Sequence, residues 1–138
     1  MAYDESNNST GPGPISGQQW IEEALDWTAS KVGAKKIILG LGGFSYDWAN
    51  GKYDSAFTYN NAINKAKVLN ASIIYDNNNF NLHYSYIENI KNDSAEPEKI
   101  QHEVWLTDAA TTFNILRFSD DYSTAGTALW RLGSEDSR

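Results

Sequence analysis

Two kinds of apolar pattern alternate along this chain, and their order constrains the fold more than any other feature. Trp20, Ile21, Ala24, Leu25, Thr28 and Val32 recur at helical spacing. Ser16-Gly17-Gln18-Gln19 before them fits a capping box, with Ser16 as N-cap and Gln19 reaching back. Lys31 stands in the last turn and Gly33 supplies a cap with positive φ. Ile37 to Leu41 follows as an apolar run without alternation, as in a strand buried on both faces of a parallel sheet. Asp108 can cap a second such helix, which leads to another short apolar strand at Thr127 to Leu132. Met1-Ala2-Tyr3-Asp4 reads as the C-terminal end of a further strand. Strand, helix, strand, helix, strand predicts an α/β fold with parallel strands.

The stretch between the second and third strands breaks this pattern. Gly42-Gly43 lets backbone approach closely at the end of the Ile37–Leu41 strand, and Phe44-Ser45-Tyr46-Asp47-Trp48 reads as an aromatic loop. The character changes at Asn50-Gly51. Thr58 can cap a helix carrying Tyr59, Ala62, Ile63, Ala66 and Leu69 on one face, and Ser72 to Tyr75 reads as a strand. After a turn at Asp76 to Asn79, Phe80, Leu82, Tyr84 and Tyr86 alternate with polar residues, the period of a half-buried antiparallel strand. Asn89 to Lys99 reads as a loop, with Glu96-Pro97-Glu98-Lys99 solvated, and Gln101 to Thr107 as another strand with Trp105 on its second face. Residues 51–107 are therefore expected to be an α+β subdomain inserted between α/β portions at 1–50 and 108–138. Residues 5–15, with Gly11-Pro12-Gly13-Pro14, form a polar loop.

Composition narrows the function classes. A net charge of −7 argues against nucleic acid, whose phosphates need a basic face, and no run of Lys and Arg suits an anionic membrane, so no nucleic-acid partner is expected. The absence of cysteine excludes disulfides and thiolate chemistry. No stretch approaches the roughly 20 apolar residues of a membrane span, and the acidic N-terminus does not resemble a signal peptide. Sequons begin at Asn7, Asn8, Asn70 and Asn92, as chance allows in an Asn-rich chain. His102 with Glu103 and Asp108 lacks metal-ligand spacing, His83 falls on a polar strand face, and neither metal nor cofactor is expected. Five Trp and eight Tyr exceed the needs of a core this size. Flat rings with polar edges suit sugar stacking and equally suit ordinary packing. Tyr84, Tyr86 and Trp105 can form a sugar-facing platform or the core of the inserted subdomain.

The order of motifs resembles the C-terminal portion of a family 18 glycoside hydrolase, the chitinase-like family built on a (β/α)8 TIM barrel. Met1-Ala2-Tyr3-Asp4 resembles the family's Met-x-Tyr-Asp at the end of the sixth strand, and Trp20 to Leu25 its sixth helix. Lys35-Lys36-Ile37-Ile38-Leu39-Gly40-Leu41 resembles the seventh strand, and Thr127-Ala128-Leu129-Trp130 the eighth. His102-Glu103-Val104-Trp105-Leu106-Thr107-Asp108 is similar to the end of the α+β insertion in bacterial cell-wall and spore-lytic branches. Ala128 to Asp136 is similar to a bacterial branch in which such a barrel is fused to a polysaccharide deacetylase and a family 2 glycosyltransferase.

The resemblance implies substrate-assisted hydrolysis of a β-linked N-acetylglucosamine glycan, the sugar's acetamido oxygen acting as nucleophile. It implies that Tyr3 hydrogen-bonds the acetamido group, that Asp4 binds a sugar hydroxyl or the acetamido neighbourhood, and that Trp130 floors the sugar. Tyr46 and Trp48 fall where the family carries aromatic subsite residues. Gly42-Gly43-Phe44-Ser45 departs from the proline and tyrosine common at that loop. Nothing in the chain matches the family's Asp-x-x-Asp-x-Asp-x-Glu, so the chain alone is expected to be inactive, a piece of a larger enzyme lacking strands one to five. The parent is expected in the bacterial cell envelope or secreted. A noncatalytic lectin-like module and an accessory domain of a membrane synthase are the alternatives. An open barrel edge further predicts association of copies driven by truncation.

Overall fold

The computed structural model describes residues 1–91 and 97–138. The first helix, α1 (Gln18–Val32), starts without the expected capping box: Gly17 is the N-cap and no side chain closes it. Ser16 instead donates its hydroxyl to the Ala2 carbonyl at 2.7 Å, and Gln19 turns to Glu23. Glu5, from the N-terminal loop, accepts the Gly17 N–H at 2.5 Å, placing a carboxylate at the helix N-terminus. This change of partner has a physical cause: Ser16 is enclosed, and a buried hydroxyl needs an acceptor, which the Ala2 carbonyl supplies. Gly33 ends the helix with φ 82.

After a 3-10 turn the chain enters β1 (Ile38–Gly42), which pairs in parallel with β7 (Gly126–Trp130) from Ile38↔Gly126 to Gly42↔Trp130. The helix α3 (Ala109–Asp121) precedes β7, with Asp108 accepting the Thr111 N–H at 2.8 Å as N-cap. On the other side of β1, the Ala2 N–H donates to the Gly40 carbonyl at 2.8 Å. Met1 to Asp4 thus runs beside β1 through this one backbone bond rather than as a regular strand. Ile21 and Leu25 of α1, Ile115 of α3, Leu39 and Leu41 of β1 and Ala2 close one core between helices and strands.

A five-stranded antiparallel sheet follows β1. It contains β2 (Ser45–Ala49), β3 (Lys52–Phe57), β4 (Ile74–Asp76), β5 (Asn81–Ile90) and β6 (Glu98–Leu106), in the order β3-β2-β6-β5-β4. The aromatic loop expected at 44–48 is therefore mostly strand, and Asn50-Gly51 is a hairpin turn with φ 47 and 80, the geometry that Asn-Gly favours. The helix α2 (Tyr59–Val68), capped by Thr58 as its sequence predicts, lays Tyr59, Ala62 and Ala66 against Tyr84, Val104 and Leu106 in a second core. The loop expected at Asn89–Lys99 is shorter, because Asn89 and Ile90 belong to β5 and Glu98 and Lys99 to β6. The Asn92 sequon and Glu96 lie outside the described residues.

Of the rings left open between platform and core, Tyr84 is core and donates to the Ala62 carbonyl at 2.9 Å. Trp105 is also enclosed and stacks on His83, centroids 4.6 Å apart, so His83 is less open than a polar strand face implies.

Candidate functional site

The C-terminal ends of β1 and β7 meet the first strands of the antiparallel sheet, and a cleft of about 370 Å³ opens there. Trp130, the last residue of β7, forms one wall. The Gly43 N–H donates to its carbonyl at 2.8 Å, fixing this end of the strand pair. The indole is 58% exposed, uncommon for a Trp on a short apolar strand. Phe44 and Tyr46 come from the start of β2, while Tyr53 and Phe57 come from β3, which the hairpin turn folds back over them. Asn61 and Thr58 enter from the first turn of α2.

The sequence-selected residues take four different positions here. Tyr46 and Trp130 line the same cleft. Asp4 is tied to it, because the Tyr46 hydroxyl donates to Asp4 Oδ1 across 42 residues of sequence. Burial, and then this bond to the carboxylate, raise the Tyr46 phenol far above its ordinary value, so it remains a donor. Asp4 itself has φ 66, a left-handed conformation that Asp tolerates better than most residues. Tyr3 stands one ring away, edge-on to Phe44 at 5.9 Å, with its hydroxyl on Met1 Sδ at 3.0 Å. Trp48 lies behind the cleft rather than in it: it is 1% exposed and meets Tyr46 and Tyr53 edge-on at 6.2 and 6.1 Å. Trp48 shares a face of β2 with Tyr46, and the edge-on rings of Tyr46 and Tyr53 cover it, so it supports the aromatic wall from beneath.

Tyr53, Phe57 and Asn61 were not among the residues the sequence singled out, and Arg131 entered only as part of the Ala128–Asp136 stretch. The Asn50-Gly51 turn was the available signal, since a two-residue hairpin returns β3 across β2. His102, Glu103 and Asp108 do not converge. His102 bonds Asp47 at 2.8 Å with Nδ1 and has Glu88 3.2 Å from Nε2, Glu103 accepts the Trp105 indole N–H at 2.5 Å, and Asp108 caps α3. Among the described residues no group of three or more His, Cys, Asp or Glu side chains is placed to hold a metal ion.

No family model matches the chain. An uncharacterized glycosylase of Bacillus subtilis (strain 168), YvbX, is 25% identical over 137 residues, 98% of this chain and 38% of that protein. A cortical fragment-lytic enzyme of the same organism is 26% identical over 141 residues, 96% of this chain and 30% of that protein. Among solved structures, a chitinase from Chromobacterium violaceum superposes with a TM-score of 0.82 at 28% identity, covering 99% of this chain and 41% of that one. The chain thus spans less than half the length of each. Its fold is α/β, the C-terminal part of a glycosidase-like (β/α)8 barrel with an inserted α+β subdomain, and it is glycoside-hydrolase-like over almost its whole length.

Proposed function

We propose that this chain carries part of the sugar site of a glycoside hydrolase acting on β-linked N-acetylglucosamine glycans, chitin-like or peptidoglycan-like. One observation carries the reading: an exposed tryptophan, a tyrosine–aspartate pair and an aromatic wall converge at the C-terminal ends of parallel strands. That end of a barrel is where chemistry sits. The names of the relatives, a chitinase and a cortical fragment-lytic enzyme, support the same class of substrate.

In this reading Trp130 presents an apolar plane to the face of one sugar, and Asp4, held by Tyr46, accepts from a hydroxyl or the acetamido N–H. Tyr3 reaches the acetamido group by turning its hydroxyl from Met1, a weak acceptor that is easily exchanged. Attack by the sugar's own acetamido oxygen needs these groups for orientation and charge stabilisation, together with a general acid for the leaving oxygen. The 138 residues contain no Asp-x-x-Asp-x-Asp-x-Glu. The chain alone is therefore proposed to bind without turnover, as a noncatalytic glycan-binding module does.

Calorimetric titration with chitotetraose tests this. Millimolar or tighter binding is expected, and Trp130→Ala is expected to weaken it by about tenfold or more, the scale of a lost aromatic stacking surface. Tyr46→Phe, which leaves Asp4 without its donor, is expected to weaken it severalfold. No binding at saturating sugar, or binding indifferent to Trp130→Ala, overturns the assignment of this cleft.

A further inference from the structure

The cleft contains one charged side chain, and the reading above gives it no task. Arg131 follows Trp130 directly and lines the same cavity. Its main chain is anchored on both sides: its carbonyl accepts the Ser134 N–H at 3.2 Å, and the Ser134 carbonyl accepts the Tyr59 N–H at 2.8 Å. The turn bearing Arg131 is thereby tied to the start of α2 and to the end of β7. The residue is exposed, and none of the ion pairs among the described residues uses it. Asp136, the nearby acid, is taken by Arg138 at 3.0 Å and by the Ala109 N–H at 3.1 Å. Asp4 is not part of the cavity wall: it stands at the margin, with Oδ1 accepting from Tyr46 and its other oxygen left for a sugar donor. The remaining lining is aromatic or neutral polar, with Ala56 the one aliphatic residue.

We infer that Arg131 is a specificity-determining residue of this cleft, and that it selects an amino-sugar glycan bearing a carboxylate beside the ring stacked on Trp130. The inference rests on the glycan-binding reading of the cleft and narrows its substrate class. A guanidinium offers a planar fork of donors that matches a carboxylate with two parallel hydrogen bonds, a match that neutral hydroxyls do not make. The surrounding chain carries a net charge of −7. It therefore disfavours polyanions in general and leaves Arg131 as a local exception, suited to one acidic substituent in register with the stacked ring. Two sources carry this chemistry: the lactyl ether of a muramic residue, and the ring carboxylate of a uronic acid.

Three tetrasaccharides separate the possibilities in calorimetric titrations of the full chain: chitotetraose, a tetrasaccharide of alternating N-acetylglucosamine and N-acetylmuramic acid, and one of alternating N-acetylglucosamine and glucuronic acid. At least one acidic sugar is expected to bind about tenfold tighter than chitotetraose, as a charge-assisted bidentate pair supplies. Which of the two does so names the source. In Arg131→Gln the ratio of acidic to neutral affinity is expected to fall to about one, and Arg131→Lys is expected to restore only part of it. Chitotetraose binding as tightly as both acidic sugars, or a ratio unmoved by Arg131→Gln, overturns the inference while leaving the cleft assignment intact. Failure of all three sugars to bind overturns the cleft assignment and the inference with it.

Discussion

Asp47 is fully enclosed in β2, and its carboxylate is satisfied from three directions: Lys65 Nζ at 3.0 Å, the Tyr86 hydroxyl at 2.7 Å and His102 Nδ1 at 2.8 Å. Lys65 also lies 4.7 Å from the ring centroids of Phe57 and Tyr86, so one carboxylate organises α2, β2, β5 and β6 together. Removing it strands the donors in a desolvated setting, and Asp47→Ala is expected to cost about 3–5 kcal/mol in urea unfolding. A loss under 1 kcal/mol, the scale of a surface pair, contradicts this account. His102 was conspicuous in the sequence, but its partner was not. Asp47 lies 55 residues away and is brought to it by the β2–β6 register, which pairs Ala49 with His102. Spacing along one strand carries no trace of that contact. Glu5 is a second residue whose role is set by tertiary structure. Burial raises its carboxyl above the ordinary value of 4.5, the Gly17 N–H opposes the shift, and Glu23 adds to it. The folded state thus holds the proton more tightly than the unfolded state. This contribution to stability is full below the unfolded value and fades as pH rises through the folded one. Glu5→Gln keeps an acceptor for Gly17 without a charge to desolvate. Its melting temperature relative to the parent chain is expected to rise between about pH 4 and about pH 7. A flat difference rejects the desolvation account.

At the scale of elements, β1 shows why some structure was legible and some was not. Its apolar, non-alternating run predicted a strand covered on both faces; it is flanked in the sheet by β7 and the segment from Met1 to Asp4, and Leu39 and Leu41 are buried, but Ile38 on the other face is open. The alternation of β5 and the Thr58 and Asp108 caps were equally direct, because each is local chemistry. The strand β2 was hidden. Phe44 to Trp48 is aromatic and polar in turn, and only its pairing with β3 and β6 makes it central to a sheet. The cleft was half legible for the same reason: Trp130, Arg131, Tyr46 and Asp4 sit in or beside motifs, whereas Tyr53, Phe57 and Asn61 join them through folding. The two glycines of β1 serve close approach. A Cβ at Gly42 would meet Tyr3 Cβ at 2.8 Å and both Ile15 and Phe44 at 3.0 Å. Gly42→Ala is accordingly expected to push the N-terminal segment off β1 at a cost of about 1–3 kcal/mol. Loss of the amide-exchange protection of Ala2, whose N–H is held by Gly40, would report it. Unchanged protection shows that the segment accommodates the methyl group.

On the scale of the whole molecule, the two cores face different circumstances. The core beneath α2 is closed by a five-stranded sheet, whereas the barrel portion rests on two paired strands and the single bond from Ala2. One edge of β7 pairs with β1, and no strand among the described residues pairs with its other edge. Ile38 on β1 and Phe113 on α3 are 64% and 63% exposed. A free parallel edge beside apolar surface is a template for another copy, and the acidic net charge opposes association only over a Debye length of about 10 Å at moderate salt. Self-association of this chain is therefore expected to rise with both protein and salt concentration in sedimentation velocity. Ile38→Lys with Phe113→Lys places charge on the exposed surface while leaving the buried core positions of β1 and α3 untouched. This double variant is expected to move the population toward monomer. If the unmodified chain sediments as a monomer at every concentration, its own loops or the antiparallel sheet protect the open edge. If the double variant associates as strongly as the parent, the contact lies on the other core.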